Sequence, residues 1–395
     1  MNKKLFIPIV LCSVIVVFVI FTKIFSQNKI TIEWENVEVP SLVNDSIELK
    51  VYVENSGSMN AYMCDGSHLK DAVYDYVSDL KKNTDSCSLY YINSQIIPCK
   101  VSLDSYIKDL TPASFSKAGG NLANTDLRDI FKKIMSNQTK NTISVFVSDC
   151  ILDIPQKATA YFGNCQVSMK NIFNEALEKN PNLGVQIMKL QSKFEGYWYC
   201  GKNKELLSNT KRPYYIWVIG DKNILKEINK EVPVNDIIGG IQEYCAFSTS
   251  QSIPINFNKT RYVVNHTDKI NIEILADLHG SLQNELTIKA LENYTLSNPS
   301  QMTLTSVLPI TTKGSRYSHV LNLEISNPQT IRDVKVSFSY PYLAKWVLIS
   351  NDNTGTNVKN NLNKTTGILY LIKGVAEAYK NHTNYGNVEF NLKNK

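Results

Sequence analysis

The run Val51-Tyr52-Val53-Glu54-Asn55-Ser56-Gly57-Ser58 closes an alternating apolar stretch with a carboxylate and two hydroxyls on alternate positions. Short side chains that offer oxygen suit hard cations such as Mg²⁺, Mn²⁺ or Ca²⁺, and a turn at a strand end folds alternate side chains back towards one point. Taken alone, Ser56-Gly57-Ser58 is better explained as a polar turn that supplies a helix cap. Two further segments supply more oxygen. Gly119-Gly120-Asn121-Leu122-Ala123-Asn124-Thr125-Asp126 is a glycine-led loop running into Leu127, Ile130, Phe131, Ile134 and Met135 at helical spacing. Thr142 to Ser148 is a short apolar, β-branched run that reads as a buried strand and ends on Asp149. Glu54, Ser56, Ser58, Thr125 and Asp149 therefore come from three segments, each at the carboxyl end of a strand or the start of a helix. In an open α/β sheet such ends meet at the crevice where ligands bind.

The elements that must position these residues can be followed along the chain. Ile47 to Val53 alternates as a strand, and Ser67 stands where a helix cap belongs, ahead of Leu69, Val73, Tyr76, Val77 and Leu80 on one helical face. Cys87 to Leu103 reads as a hairpin turning near Asn93, with one strand added antiparallel at the sheet edge. After Asp149 a loop leads to a helix with Met169, Ile172, Phe173, Ala176 and Leu177 on one side, ended by Pro181. Gly184–Leu190 and Pro213–Gly220 complete the strands, and Ile224, Leu225 and Ile228 mark a last helix. Between those strands, Ser192 to Tyr199 reads as an aromatic loop on the side of the proposed ion, which either lines a ligand surface or covers the sheet edge. Helices alternating with apolar strands imply an α/β fold with a doubly wound, mostly parallel sheet over residues 46–250.

From about Ser250 the pattern changes. Ile270–Leu275, Leu286–Leu291, His319–Ile325 and Val334–Tyr340 largely alternate apolar and polar residues, which implies a β-rich, sandwich-like domain over 251–395 with a spacer or partner-binding role. Residues 28–45, with Ile30-Thr31-Ile32-Glu33-Trp34, read as a linker or an extra strand.

In the order and spacing of Glu54, Ser56, Ser58, Thr125 and Asp149 the chain resembles the von Willebrand factor A domain. That family writes its metal-ion-dependent adhesion site as Asp-x-Ser-x-Ser, then a Thr in a Gly-rich loop, then an Asp after the fourth strand. The resemblance implies a Rossmann-like sheet, Ser56 and Ser58 as direct ligands, Thr125 as a direct or conformation-dependent ligand, and Asp149 as a mostly water-mediated one. Two positions depart from the family. Glu54 stands where the family has Asp, and Cys150 where a Gly usually follows the second acid. One extra methylene lets the Glu54 carboxylate reach the ion directly or crowd it out.

Met1-Asn2-Lys3-Lys4 precedes an uncharged stretch of 18 residues, Leu5 to Thr22, so residues 1–27 read as a retained membrane anchor. Lys3 and Lys4 place its N-terminus in the cytoplasm and the domains outside, as a single-pass membrane protein. The net charge of +6 is scattered, with no basic stripe interleaved with aromatics, which argues against nucleic acid. Of the eight cysteines, Cys87 and Cys99 flank the hairpin, and a register centred on Asn93 would set them opposite one another, bridged or as buried thiols. No Cys-x-x-Cys or clustered histidines favour zinc.

The reading that follows is a binding module and not an enzyme: a divalent ion held by Glu54, Ser56, Ser58, Thr125 and Asp149 presents an open coordination position to an acidic side chain of a protein partner. A structural domain without metal, with Glu54 paired to a lysine or to backbone amides, is the alternative. A third reading, an acyl-transfer enzyme, rests on Ser67-His68-Leu69-Lys70 and on Lys364-Thr365-Thr366-Gly367, which loosely resemble motifs of penicillin-binding proteins and β-lactamases, with an extra Thr interrupting Lys-Thr-Gly.

Overall fold

The computed structural model describes residues 29–35, 37, 46–122, 125–154, 158–264, 268–312 and 314–394. The strands of its largest sheet are β2 (Glu48–Glu54), β3 (Ser86–Ile92), β4 (Ile96–Cys99), β5 (Thr142–Ser148), β6 (Leu183–Cys200), β7 (Asn203–Asp221) and β8 (Glu243–Phe247), in the order β4-β3-β2-β5-β7-β6-β8. Its central strands carry near-continuous apolar runs because helices cover both faces: every residue of β5 is buried. One face packs on α1 (His68–Lys82) and α4 (Lys222–Glu231). The other packs on α2 (Leu127–Ser136) and α3 (Ala158–Lys179).

The doubly wound, mostly parallel, Rossmann-like sheet expected from the alternation of helices and strands is not what the chain builds. Only β2–β3 and β2–β5 pair parallel; β3–β4, β5–β7, β6–β7 and β6–β8 are antiparallel. The cause lies in the segment read as an aromatic loop. Ser192 to Tyr199 continues β6 to Cys200, and the chain turns straight back into β7 at Asn203. A connection that short admits only antiparallel pairing, since a parallel neighbour needs a crossover of a dozen or more residues. Strand β7 then inserts between β5 and β6. The arm tolerates Pro213 because β5 ends at Ser148 opposite Tyr215, so Pro213 lies past the end of β5 and pairs with Gln191 alone.

The hairpin of β3 and β4 turns near Asn93, with β4 at the sheet edge. Its register sets Cys99 opposite Leu89, two residues away from Cys87, and both thiols are free. The disulfide alternative is corrected by that offset.

A sandwich of antiparallel sheets forms the second unit. One sheet runs β10 (Arg261–Val263), β1 (Lys29–Glu33), β18 (Asn384–Asn394), β15 (Asp333–Ser339), β12 (Tyr294–Leu296); the other runs β13 (Met302–Pro309), β14 (His319–Ser326), β11 (Lys269–Ala276), β9 (Ile255–Phe257). Strict alternation, as in β14 where every second residue is buried, sends one set of side chains into the shared core. The first strand among the described residues thus closes the sandwich made by the chain's last third. Between β15 and β18 the chain returns to the first sheet: α5 (Ile368–Ala378) lies on α3, and Trp346, Ile368, Leu371 and Val375 join the core around Phe162 and Met169. A short parallel pair, β16 (Asn351–Asp352) with β17 (Thr365–Thr366), steadies that excursion. A buried ion pair, Lys226 Nζ to Asp277 Oδ2 at 3.2 Å, ties α4 to the sandwich.

Residues 1–27, read as a membrane anchor, lie outside the described residues. Among the described residues no helix is long and apolar enough to cross a membrane, so the single-pass placement has no support in the fold.

The α3–α5 contact is close enough to test. A Cβ on Gly374 would stand 2.5 Å from the Gln166 carbonyl oxygen and 2.5 Å from Met169 Cβ. Gly374→Ala should therefore lower stability by about 1–3 kcal/mol, the usual cost of overpacking, as measured by urea unfolding. An unchanged midpoint would mean that the two helices do not meet this tightly.

Candidate functional site

Strands β2 and β5 are parallel neighbours with Val53 opposite Val147, so Glu54 comes level with Ser148 and Asp149 follows one residue on. This register alone places two acids side by side at the carboxyl end of the sheet. Both are buried, at 4% and 2% exposure. The Glu54 carboxylate accepts a hydrogen bond from the Ser148 hydroxyl across the strand gap. Its extra methylene, the departure from Asp, supplies that reach. Ser148 Oγ also accepts from the Cys150 backbone N–H at 2.7 Å, which fixes the turn after β5.

After Glu54 the chain turns into a single 3₁₀ helix, Met59–Met63, with Ser58 at its N-cap position. Ser58 makes no capping hydrogen bond there. Its hydroxyl interacts with Asp149, while Ser56 interacts with Glu54, and the two serine oxygens lie 3.4 Å apart. The Ser58 hydroxyl thus serves an acid and not the helix end, while Ser56 Oγ also accepts from the Met59 N–H at 3.5 Å. Glu54, Ser56, Ser58 and Asp149 form one cluster.

Thr125 is less directly placed. The loop before it is held to the cluster by Gly57 N–H donating to the Leu122 carbonyl at 3.1 Å and by Asn55 Nδ2 donating to the Gly119 carbonyl at 3.4 Å. Asn93, buried at the end of β3, donates to the carbonyls of both Asn55 and Gly119, a role that sequence reasoning gave only to a hairpin turn. No hydrogen bond joins Thr125 to the four clustered residues among the described residues. Its Oγ1 is buried without a hydrogen-bond partner among the described residues, as are Asp149 Oδ2, Asn55 Oδ1 and Asn60 Oδ1. Each such buried oxygen costs about 1–3 kcal/mol unless something satisfies it.

The electrostatics are set by burial. Desolvation, followed by the charge of Asp149, pushes the Glu54 carboxyl up to about 8, against the smaller lowering effect of the Ser148 and Ser56 hydrogen bonds. Asp149 is also raised, first by desolvation, although Ser58, the Ile151 N–H and the Arg212 charge oppose the shift. Arg212 is itself buried and directs Nη1 to the carbonyls of Asn361 and Leu362, at 3.2 and 2.9 Å. It therefore tempers Asp149 from a distance without forming an ion pair with it.

Cys150 has φ of 54°, the left-handed region that a Gly occupies without strain. The buried thiol accepts a hydrogen bond from the Trp217 indole N–H at 3.3 Å. Local strain of this kind collects at functional sites.

Two carboxylates, hydroxyls and unsatisfied amide oxygens are hard ligands of the kind that suit Mg²⁺, Mn²⁺ or Ca²⁺. Among the described residues no group of three or more His, Cys, Asp or Glu side chains gathers as a metal site. A metal centre is thus not evident from charged and sulfur ligands alone, and the hydroxyls are essential to the candidate set. The Ser-x-x-Lys pair is not arranged for acyl transfer: Ser67 Oγ meets Ser192 Oγ at 3.1 Å, and Lys70 Nζ donates to the Leu110 carbonyl at 3.0 Å.

Without divalent ions the buried acids make stability depend on pH. Because the folded Glu54 holds its proton up to about 8 and the unfolded residue releases it near 4.5, stability is fully present below the lower value and falls as pH rises to the upper one. Urea midpoints in EDTA between pH 4.5 and 8.5 should show the fall, with a slope of at most about 1.4 kcal/mol per pH unit for one proton. Glu54→Gln should flatten it, and an equally steep slope in that variant would remove Glu54 as its source.

Comparison with protein-family models, with curated proteins and with solved structures found no match.

Proposed function

We propose that the chain is a binding module in which Glu54, Ser56, Ser58 and Asp149 hold a divalent cation, Mg²⁺ or otherwise Mn²⁺ or Ca²⁺, with Thr125 contributing from the adjoining loop. The cation presents an open coordination position to a carboxylate of a protein partner. The observation that carries this reading is the pair of buried acids meeting at one point with two serine hydroxyls, one carboxylate oxygen, Asp149 Oδ2, having no hydrogen-bond partner.

A dication relieves that arrangement better than any group the chain supplies. It offsets the repulsion between the acids and gives the unpartnered Asp149 Oδ2 a counter-charge. With two charged ligands at most, a dication keeps Lewis acidity for an incoming carboxylate, so binding depends on both metal and partner. The order of the residues resembles the adhesion site of the von Willebrand factor A family, and the left-handed Cys150 supports the likeness locally. The sheet lacks that family's parallel winding, so the proposal rests on the constellation and not on the fold.

Millimolar Mg²⁺ or Mn²⁺ should raise the melting temperature of the wild-type protein, since a ligand that binds only the native state stabilises it by mass action. The double substitution Ser56→Ala, Ser58→Ala should abolish the shift while leaving the fold intact by circular dichroism. A wild-type protein indifferent to both ions would overturn the cation and leave a proton-sharing pair.

Glu54→Asp separates the roles of that residue. If the longer side chain ligates the ion itself, shortening it should weaken Mn²⁺ binding by about tenfold or more in calorimetry, the equivalent of about 1.4 kcal/mol. If it acts only as a spacer, affinity should be kept or improved. Equal affinity for Glu, Asp and Ala at position 54 would exclude the residue from the site.

A further inference from the structure

The far end of the β6–β7 hairpin reaches out of the sheet and lies against the candidate site. Gly196 of β6 packs on Ala61 of the 3₁₀ turn that follows Ser58, and Tyr199 Cε2 stands 3.3 Å from where a Cβ on Gly57 would be. That close approach accounts for Gly between the two ligand serines: a side chain there would meet the ring. Tyr199 is thus a rim residue of the cluster formed by Glu54, Ser56, Ser58 and Asp149.

Strand periodicity sorts the rest of the arm. Phe194, Trp198, Cys200 and Leu207 are buried against the core. Tyr197 pairs with Leu206 and Tyr199 with Lys204 across the antiparallel ladder, and paired residues share a face. This outward face is apolar and open: Tyr197 is 44% exposed, Tyr199 39% and Leu206 54%. Lys204 Nζ lies 3.9 Å from the Tyr197 ring centre and 5.5 Å from that of Tyr199, so a cation sits over the aromatic pair. The arm is also basic at its surface. Lys202, Lys204 and Lys211 are exposed, Glu205 is paired with Lys359 at 2.9 Å, and Glu195 accepts from the Asn209 backbone N–H.

We propose that Tyr197, Tyr199, Lys204 and Leu206 form the docking surface for an acidic segment of a protein partner, contiguous with the cation site. The inference rests on the function proposed above and adds the side chains that recognise what flanks the partner's carboxylate. The acid would reach the cation past Tyr199, apolar neighbours would pack on Tyr197 and Leu206, and further acidic residues would face Lys202, Lys204 and Lys211. Tyrosine rings beside a central charged contact are the composition that dominates binding energy at protein interfaces.

The test uses a library of random 12-residue peptides displayed on phage, selected against the full chain in Mg²⁺. Enriched peptides should carry an Asp or Glu flanked by aromatic or aliphatic residues. Their synthetic forms should bind Tyr197→Ser with Leu206→Ser about tenfold more weakly, and Lys204→Glu more weakly by a similar factor. Both variants alter exposed residues, and each should keep the wild-type melting curve and its Mg²⁺ shift. Equal binding by wild type and variants, enrichment of peptides without an acid, or no enrichment at all would overturn the docking surface. A tenfold loss in the variants without any Mg²⁺ shift in the wild type would overturn the cation reading and uphold the arm as the surface.

Discussion

Two carboxylates of like charge are buried next to one another where two parallel strands end, and much of the neighbouring structure answers to that fact. The register of β2 against β5 brings Glu54 and Asp149 together. Burial raises both, so the pair favours a shared proton or a bound cation over two bare charges. The hydroxyls of Ser56, Ser58 and Ser148 are spent on the acids, although Ser58 occupies a helix cap position where its side chain would ordinarily serve the backbone. Arg212 tempers one acid from a distance. Strand register, burial and hydrogen bonding are therefore linked at a single point.

That link depends on the parts of the fold that hold the strand ends still. The core on one face of the sheet, around Val51, Val53 and Val147, and that on the other, around Phe131, Phe146 and Trp217, fix β2 and β5 from both sides. Asn93 and Gly57 moor the loop that carries Thr125. Cys150 is kept in a strained backbone conformation by the thiol contact with Trp217. The hairpin arm closes over Gly57 from the remaining side. Each of these contacts constrains the positions of a few oxygens.

The site was more legible in the sequence than the fold. Alternate oxygen-bearing residues at a strand end, followed by an apolar strand ending on an acid, are local patterns, and four of the five residues they pointed to do meet. Thr125 belongs to the same motif but makes no hydrogen bond to the others among the described residues. The sheet failed at one segment. Ser192 to Tyr199, rich in aromatic residues and containing Gly196, reads as a loop between two strands. The alternation of buried Phe194, Trp198 and Cys200 with exposed Tyr197 and Tyr199 is an unbroken strand period, but the bulge places an extra residue in β7, so that buried Leu207 and Arg212 fall out of phase there. With that hairpin unrecognised, alternating helices and strands implied parallel winding. Long-range pairing was invisible as well: nothing in Ile30-Thr31-Ile32 states that its partners lie more than 200 residues away, at Tyr262 and Leu392.

The buried acid pair can be occupied by a cation, as proposed, or by a shared proton. Crystals grown in Mn²⁺ at pH 7, with data collected at the manganese absorption edge, test the cation reading most directly. An anomalous peak should stand within about 2.0–2.6 Å of oxygens from the set Glu54, Ser56, Ser58 and Asp149, with remaining positions filled by water or by a carboxylate from a neighbouring molecule. A flat anomalous map, with Glu54 still hydrogen-bonded to Ser148 and the two acids in mutual contact, would contradict that reading.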